Sequence, residues 1–335
     1  MKLWKNLLGL FVYATTIFVV GFAISFWWAA GQFAAPGPLN EKIYFEVERG
    51  QGLITIAHNL KESGAVENPY IFVFGTRLLN AQSDLKAGEY EIEAGVAPRA
   101  IMEKMREGKT YKRRITVPEG LTSFEIEKMI AAINDIKFVK VEIPAEGTLL
   151  PGTYDYRRSE TNADILGRMS AAMTGAINEL WPARAGNLPV ATPSEALILA
   201  SIVEKETGVD SERRRVAGVF VNRLRLGMPL QTDPTVIYAI TNGKPQDNGQ
   251  GPLGRRLLSE DLKIDSPYNT YKYPGLPPGP ICNPGKASIE AALNPEIHDY
   301  IFFVADGTGG HAFARTLPEH NANVQKWRAI RAQKQ

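Results

Sequence analysis

The sequence has a single cysteine, Cys282, in 335 residues. An internal disulfide is excluded, and so is any metal site built on cysteines. Histidine is scarce as well: His58, His298, His311 and His320 show no HExxH-type spacing. Neither sign of charge is in excess, since 38 basic and 36 acidic residues leave a formal net charge of +2. With no strongly basic domain, the balance argues against a nucleic-acid partner. The short clusters Lys112-Arg113-Arg114, Arg213-Arg214-Arg215 and Arg255-Arg256 read as solvated faces. No tandem repeat follows residue 42. What remains, 44% hydrophobic and 22% charged, is the composition of a globular chain long enough for two or three domains.

Charge is missing altogether from residues 6–40. Their apolar part, residues 7–30, would reach about 36 Å as a helix, enough to cross a hydrocarbon layer of about 30 Å. A transmembrane helix through the lipid bilayer is therefore expected over residues 6–30. Lys2 and Lys5 precede it, and the positive-inside rule puts residues 1–5 in the cytoplasm, the rest of the chain on the far side, and Trp27 and Trp28 near the outer interface. Ala29-Ala30-Gly31 could pass for a signal-peptide cleavage site, but the apolar run is longer than a signal core, which favours an uncleaved anchor. Residues 31–41, containing Pro36-Gly37-Pro38, read as a linker.

Beyond the linker, short strands and helices follow one another in an α+β pattern. Alternation predicts a strand over 43–47. Helical spacing predicts a helix over 53–63 closed by Gly64, and Asn68-Pro69 opens another through residue 79. A strand over 85–92, a helix over 98–106 and a strand over 111–117 complete a small module of residues 42–117. Residues 118–335 form a second, mixed α+β domain. Its expected helices cover 123–133, 163–180, 211–226 with Gly227 as stop, 234–240, 287–293 and a final run from 317. Expected strands at 300–304 and through Phe313 flank the turn Asp306-Gly307-Thr308-Gly309-Gly310. Residues 146–154 are rich in turn formers, 242–260 form a polar loop, and 266–284 are dense in proline and tyrosine. Such a stretch suits a sugar ring, with its apolar faces and polar rim, or simply makes a rigid surface loop.

One helix, over residues 192–208, organises the second domain. Thr192 with Glu195 has the capping-box spacing, Pro193 fits the first helical position and Gly208 suits a left-handed stop. At about 100° per residue, Ile198, Ile202, Leu199 and Val203 centre an apolar face on which Glu206 falls, while Glu204 falls with Ser201 on the opposite, wetter side. A carboxyl on an apolar face near the negative end of a helix has its ionised form disfavoured, the condition for a general acid at neutral pH. The alternative is a solvated glutamate, or one paired with Arg213 to Arg215. Asp233 before Pro234 has the arrangement of a helix N-cap, a structural role.

Two stretches carry a resemblance to a known family. Gly52-Leu53, Ile56-Ala57, Leu60, Gly64, Val66 and Leu85-Lys86-Ala87-Gly88-Glu89-Tyr90 resemble a LysM-like module, which implies either glycan binding or a stalk. Further on, Glu146-Gly-Thr-Leu-Leu-Pro-Gly-Thr-Tyr154, Leu199-Ala-Ser-Ile-Val-Glu-Lys-Glu-Thr207, Val219-Phe-Val-Asn-Arg-Leu224, Leu230-Gln-Thr-Asp-Pro-Thr-Val-Ile-Tyr238, Tyr268-Asn-Thr-Tyr271, Gly275-Leu-Pro-Pro-Gly-Pro-Ile281, Asn283-Pro-Gly285 and Phe303-Val-Ala-Asp-Gly307 resemble, in order, the endolytic murein transglycosylase family of YceG-like or MltG type. The likeness runs over essentially residues 1–330. This sequence departs from the family's pattern at Thr148 or Leu150, commonly larger or aromatic, at Gly152, commonly aspartate, and at Cys282.

The resemblance implies a single-pass protein of the bacterial inner membrane with its catalytic domain in the periplasm. Its implied substrate is the glycan strand of nascent peptidoglycan, cut within the strand at the MurNAc–GlcNAc β-1,4 bond to leave a 1,6-anhydro-MurNAc end, which would terminate elongation. It further implies Glu206 as acid and then base, and Gln231, Thr232, Asp233, Tyr238, Asn269, Tyr271, Pro278 and Gly279 as substrate-binding residues. No metal or organic cofactor is needed, and peptidoglycan synthases are candidate partners. Two rival readings are a muramidase using Glu206 and Asp233 together, and a non-catalytic wall-binding anchor protein.

Overall fold

The computed structural model describes residues 2–158, 160–246 and 251–333, so residues 247–250 of the expected loop over 242–260 lie outside the described residues. The chain divides into two units, residues 1–113 and 114–335.

The first unit begins with α1 (Lys2–Ala34), whose stretch Leu8–Ala34 has a mean hydropathy of 2.0. The helix continues four residues beyond the expected span, so residues 31–34 are helical rather than linker. The reason is packing: Phe33 is 5% exposed and its ring meets that of Phe72 at 6.4 Å. After α1 come β1 (Ile43–Val47), α2 (Leu53–Glu62), α3 (Pro69–Leu78), β2 (Gly88–Ile92) and α4 (Pro98–Glu107). β1 and β2 pair antiparallel with Phe45 opposite Tyr90. Local signals set the ends of these helices: the Asn68 side chain accepts from the Tyr70 N–H at 2.9 Å, and Gly108 closes α4 at φ 74°. The core joins Phe33, Ile56, Leu60, Phe72, Tyr90, Ile101 and Met105. Arg113, expected on a solvated face, makes a two-pronged ion pair with buried Glu89 at 2.9 and 3.0 Å.

The second unit takes in nearly all of β3 (Arg113–Val117), then α5 (Ser123–Ala131), β4 (Gly152–Tyr156), α6 (Asn162–Leu180), α7 (Pro193–Glu206), α8 (Asp210–Arg225), α9 (Asp233–Thr241), α10 (Lys286–Leu293), β5 (Phe302–Ala305), β6 (His311–Ala314) and α11 (Leu317–Gln333). β3 pairs with β4, a strand formed inside the turn-rich segment, and so belongs here rather than with the module of residues 42–117. β5 and β6 form an antiparallel hairpin. One core packs α5 and the start of α6 around Ile126, Leu149, Ile165 and Met169. A larger one is centred on α7 and gathers Ile177, Val216, Phe220, Leu230, Ile281 and Ile289.

α7 is the buried axis of this unit, packed against α8, α9 and α10. Its expected wet side does not exist: Ser201 is fully buried, its Oγ donating to Ile198 O and accepting from Ile281 N. Glu204 is half-buried and accepts from the Gly285 N–H at 2.9 Å. A helix enclosed on both sides loses the amphipathic contrast that separates a wet face from a dry one.

Candidate active site

Glu206 is the last residue of α7. The helix stops because Thr207 turns extended, at φ −141° and ψ 128°, with its Oγ1 accepting from Val209 N at 3.0 Å. Gly208 is not the left-handed stop that was expected; the threonine hydroxyl makes the turn instead. Glu206 keeps some open surface, yet its carboxyl is surrounded by protein, and burial pushes its pKa up to about 7. Asp233 adds to the rise, while Thr232, His311 and Arg223 pull against it.

The first wall of the site is the turn before α9. Gln231 sits at φ 52°, a left-handed conformation that costs a residue with a Cβ of the order of 1 kcal/mol and persists only where the surroundings impose it. Here Gln231 N donates to Thr270 O at 3.0 Å, Thr232 N donates to Thr270 Oγ1 at 3.1 Å, and the Thr235 and Thr270 hydroxyls share a hydrogen bond of 2.8 Å. Held this way, the buried Thr232 hydroxyl makes no hydrogen bond of ordinary length but lies close enough to the Glu206 carboxyl to lower its pKa. Asp233 is the first residue of α9 rather than its cap, which is Thr232. Its carboxylate is turned instead to the Tyr271 hydroxyl, which donates to it at 2.6 Å.

Asn269 is completely buried beneath this pair. Its amide donates to Leu262 O and Ile264 O, both at 2.9 Å, and its Oδ1 accepts from Tyr271 N at 3.1 Å. It therefore shapes the loop that presents Tyr271, and its polar atoms are spent inside the protein.

Two basic side chains from distant sequence complete the setting. Arg223 of α8 is buried, with its guanidinium over the Phe302 ring; its Nε donates to Ile301 O at 2.7 Å and its Nη1 to Leu230 O at 2.8 Å. It staples the turn at residues 229–231 to α8 and β5. His311 opens β6 and is clamped by Glu212 of α8, through Nδ1 at 2.7 Å and the backbone N–H at 3.1 Å. By contrast, the cluster Arg213 to Arg215 turns elsewhere: Arg213 to Asp210, Arg214 to Asn294 O and Arg215 to Glu296. Arg213 is also buried, so of the three only Arg214 stands on a solvated face and Arg215 is half-buried.

A second group gathers around Glu146. One of its oxygens accepts from Ser123 N at 2.9 Å and Asn283 Nδ2 at 3.4 Å, and burial pushes its pKa up to about 7. Gly243, at φ 72°, lets it lie close to Tyr238: a Cβ there would stand 2.9 Å from Glu146 Oε1 and 3.2 Å from the Tyr238 ring. Tyr238 and Tyr268 lie 4.8 Å apart, and Gly279 leaves room for the Tyr268 hydroxyl, which a Cβ would meet at 2.8 Å. Pro278 is exposed on the proline-rich loop.

The structure thus brings Glu206, Gln231, Thr232, Asp233 and Tyr271 into one constellation. Tyr238 and Gly279 join the group at Glu146, Asn269 lies beneath, and Pro278 is at the surface. His311, Glu212 and Arg223 were not read from the sequence as site residues. Arg223 stands inside the motif Val219 to Leu224, which could have drawn attention to it; the clamp between Glu212 and His311, 99 residues apart, leaves no local pattern. Chemically, a carboxyl half-protonated near neutrality can give up a proton and take one back, beside a carboxylate–phenol pair that a ligand's hydroxyls could engage.

Comparisons with known proteins give the family of the chain. A model of the YceG-like family matches residues 45–326, and the chain belongs to that family. A protein of Bacillus subtilis named endolytic murein transglycosylase is 33% identical over 316 residues, covering 85% of this chain and 84% of its own length. A protein of the same name from Streptococcus pneumoniae is 31% identical over 86% of this chain, which spans 59% of that relative. Among solved structures, a yceG-like protein from Listeria monocytogenes is 33% identical, covers 84% of this chain and 99% of that one, and has a TM-score of 0.49.

Proposed function

We propose that the chain is an endolytic peptidoglycan lytic transglycosylase, a lyase that cuts the MurNAc–GlcNAc β-1,4 bond within nascent glycan strands. The observation that carries the reading is Glu206: a carboxyl enclosed at the end of the central helix, with its pKa near 7, in a family whose relatives bear the name endolytic murein transglycosylase.

The chemistry needs one such group. Protonated Glu206 donates to the glycosidic oxygen, the C1–O bond breaks, and GlcNAc leaves with its 4-hydroxyl as an oxocarbenium-like centre develops on MurNAc. The carboxylate so formed takes the proton from the C6 hydroxyl of the same MurNAc as that oxygen bonds to C1. The product is a 1,6-anhydro ring; no water is consumed, and Glu206 is again protonated. The nucleophile belongs to the substrate itself, which spares the entropy of capturing water. Thr232, whose buried hydroxyl lies beside the Glu206 carboxyl without a hydrogen bond of ordinary length, is suited to donate to the carboxylate between the two steps. Gln231, Asp233, Tyr238, Tyr271, Pro278 and Gly279 are proposed to line the strand's path, with Asp233 and Tyr271 binding sugar hydroxyls as a pair and Asn269 shaping the loop under them.

α1 is proposed to anchor the protein in the bacterial inner membrane, with Lys2 and Lys5 on the cytoplasmic side and the catalytic unit in the periplasm, where nascent strands and their synthases are found. The first unit is proposed to be LysM-like. Mass analysis of the products from purified glycan strands tests the function: anhydro ends are expected, whereas reducing ends would mean a two-carboxylate muramidase and no cleavage would mean a wall-binding protein.

A further inference from the structure

α1 does not end in a flexible tether. The Phe33 ring fills the space beside Gly75, where a Cβ would overlap it. Two turns earlier, Phe26 packs edge-on against Phe74 of α3, with ring centroids 5.6 Å apart. Trp28 and Tyr70 line the same cleft of about 510 Å³, together with Lys61 and Asn68.

Helix length fixes the depth of these contacts. The apolar stretch Leu8–Ala34 is about 40 Å long and the hydrocarbon layer about 30 Å thick, so an upright helix entering at Leu8 emerges near Trp27. Phe26, Trp27 and Trp28 then stand at the outer boundary, where aromatic rings collect. Tilting the helix draws more of it into the bilayer and lowers α3 further. Tyr70 and Phe74, packed beside this part of α1, are held at headgroup depth. The side chains of α3 beside α1 suit that position. Residues 70, 74 and 78 share a face by their spacing of four; Tyr70 is 70% exposed, Leu78 is 48% exposed and Phe74 is half-buried. Arg77 is the one charged residue of the helix.

We propose that the first unit docks on the outer leaflet of the bilayer through the Tyr70, Phe74 and Leu78 face of α3 together with Trp27 and Trp28. Aromatic and aliphatic groups enter the boundary between headgroups and acyl chains, and Arg77 and Lys61 reach lipid phosphates. The proposal rests on the reading of α1 as a membrane-spanning anchor.

Nitroxide labels on the full chain, reconstituted in vesicles of phosphatidylethanolamine and phosphatidylglycerol, test it. The variants are Phe18→Cys, Tyr70→Cys, Leu78→Cys and Ile297→Cys, each at an exposed position, so no core is disturbed; the native Cys282 is buried and shielded from the reagent. The readout is the ratio of collisions with oxygen, which partitions into lipid, to collisions with a water-soluble nickel chelate. The expected ratio is highest at position 18 and several-fold higher at 70 and 78 than at 297. Ratios at 70 and 78 equal to that at 297, with position 18 immersed, would overturn the docking and leave the anchor standing. A ratio at 18 equal to that at 297 would overturn both.

Discussion

Two glutamates share the last turn and a half of α7, and what each one touches separates their roles. Glu204 is occupied by the Gly285 N–H, whereas Glu206 faces Thr232, Asp233, His311 and Arg223. Glu204→Gln is therefore expected to cost far less turnover than Glu206→Gln, and an equal loss would contradict the assignment. As the proposed general acid, with its pKa near 7, Glu206 would have to be protonated in the free enzyme, so kcat/KM is expected to fall about tenfold per pH unit above that value. His311 pulls the Glu206 pKa down, so His311→Gln should move the alkaline limb upward; an unmoved limb would separate His311 from the chemistry. Stability has its own signature. The folded pKa lies above the unfolded value of about 4.5, so ionisation destabilises the fold as pH rises from there, and the cost is complete above about 7. Thermal melts should show Glu206→Gln raising Tm at pH 8 and doing little at pH 4. A Tm gain that is larger at pH 4 would contradict the burial account.

Among the elements, helices with local signals were legible from sequence. Thr122 with Glu125 and Thr161 with Asp164 close capping boxes, and Gly227 ends α8 at φ 65°. What escaped the sequence depends on distant partners. β4 forms from a turn-rich run because β3 lies beside it, with Thr116 and Thr153 hydroxyls 3.0 Å apart. The continuation of α1 through Ala34 depends on the pocket for Phe33, and the drying of Ser201 on residues 281–282. The site divides the same way: the helical position of Glu206 could be read, whereas Arg223 and His311 arrive through tertiary folding. Asn269 tests the loop element. Asn269→Ala strips three hydrogen bonds from a fully buried group and should destabilise the unit by about 2–4 kcal/mol in chemical denaturation while lowering kcat through Tyr271. Gly75→Ala should cost about 1–3 kcal/mol because its Cβ meets the Phe33 ring. Wild-type stability in either variant would contradict the packing described.

At the scale of the molecule, the chain divides into two units, the described residues include one helix apolar enough to cross a membrane, and the proposed chemical event lies at the end of α7. If Glu206 alone acts as acid and base while Asp233 binds rather than reacts, Asp233→Asn should still yield anhydro ends, at a reduced rate. The most direct measurement is mass spectrometry of the products made from purified glycan strands by the full-length protein and its Glu206→Gln variant, with circular dichroism of both. Anhydro-MurNAc ends from the parent, and none from a variant that remains folded, are the predicted result. Undiminished anhydro product from Glu206→Gln, or reducing ends from the parent, would contradict it.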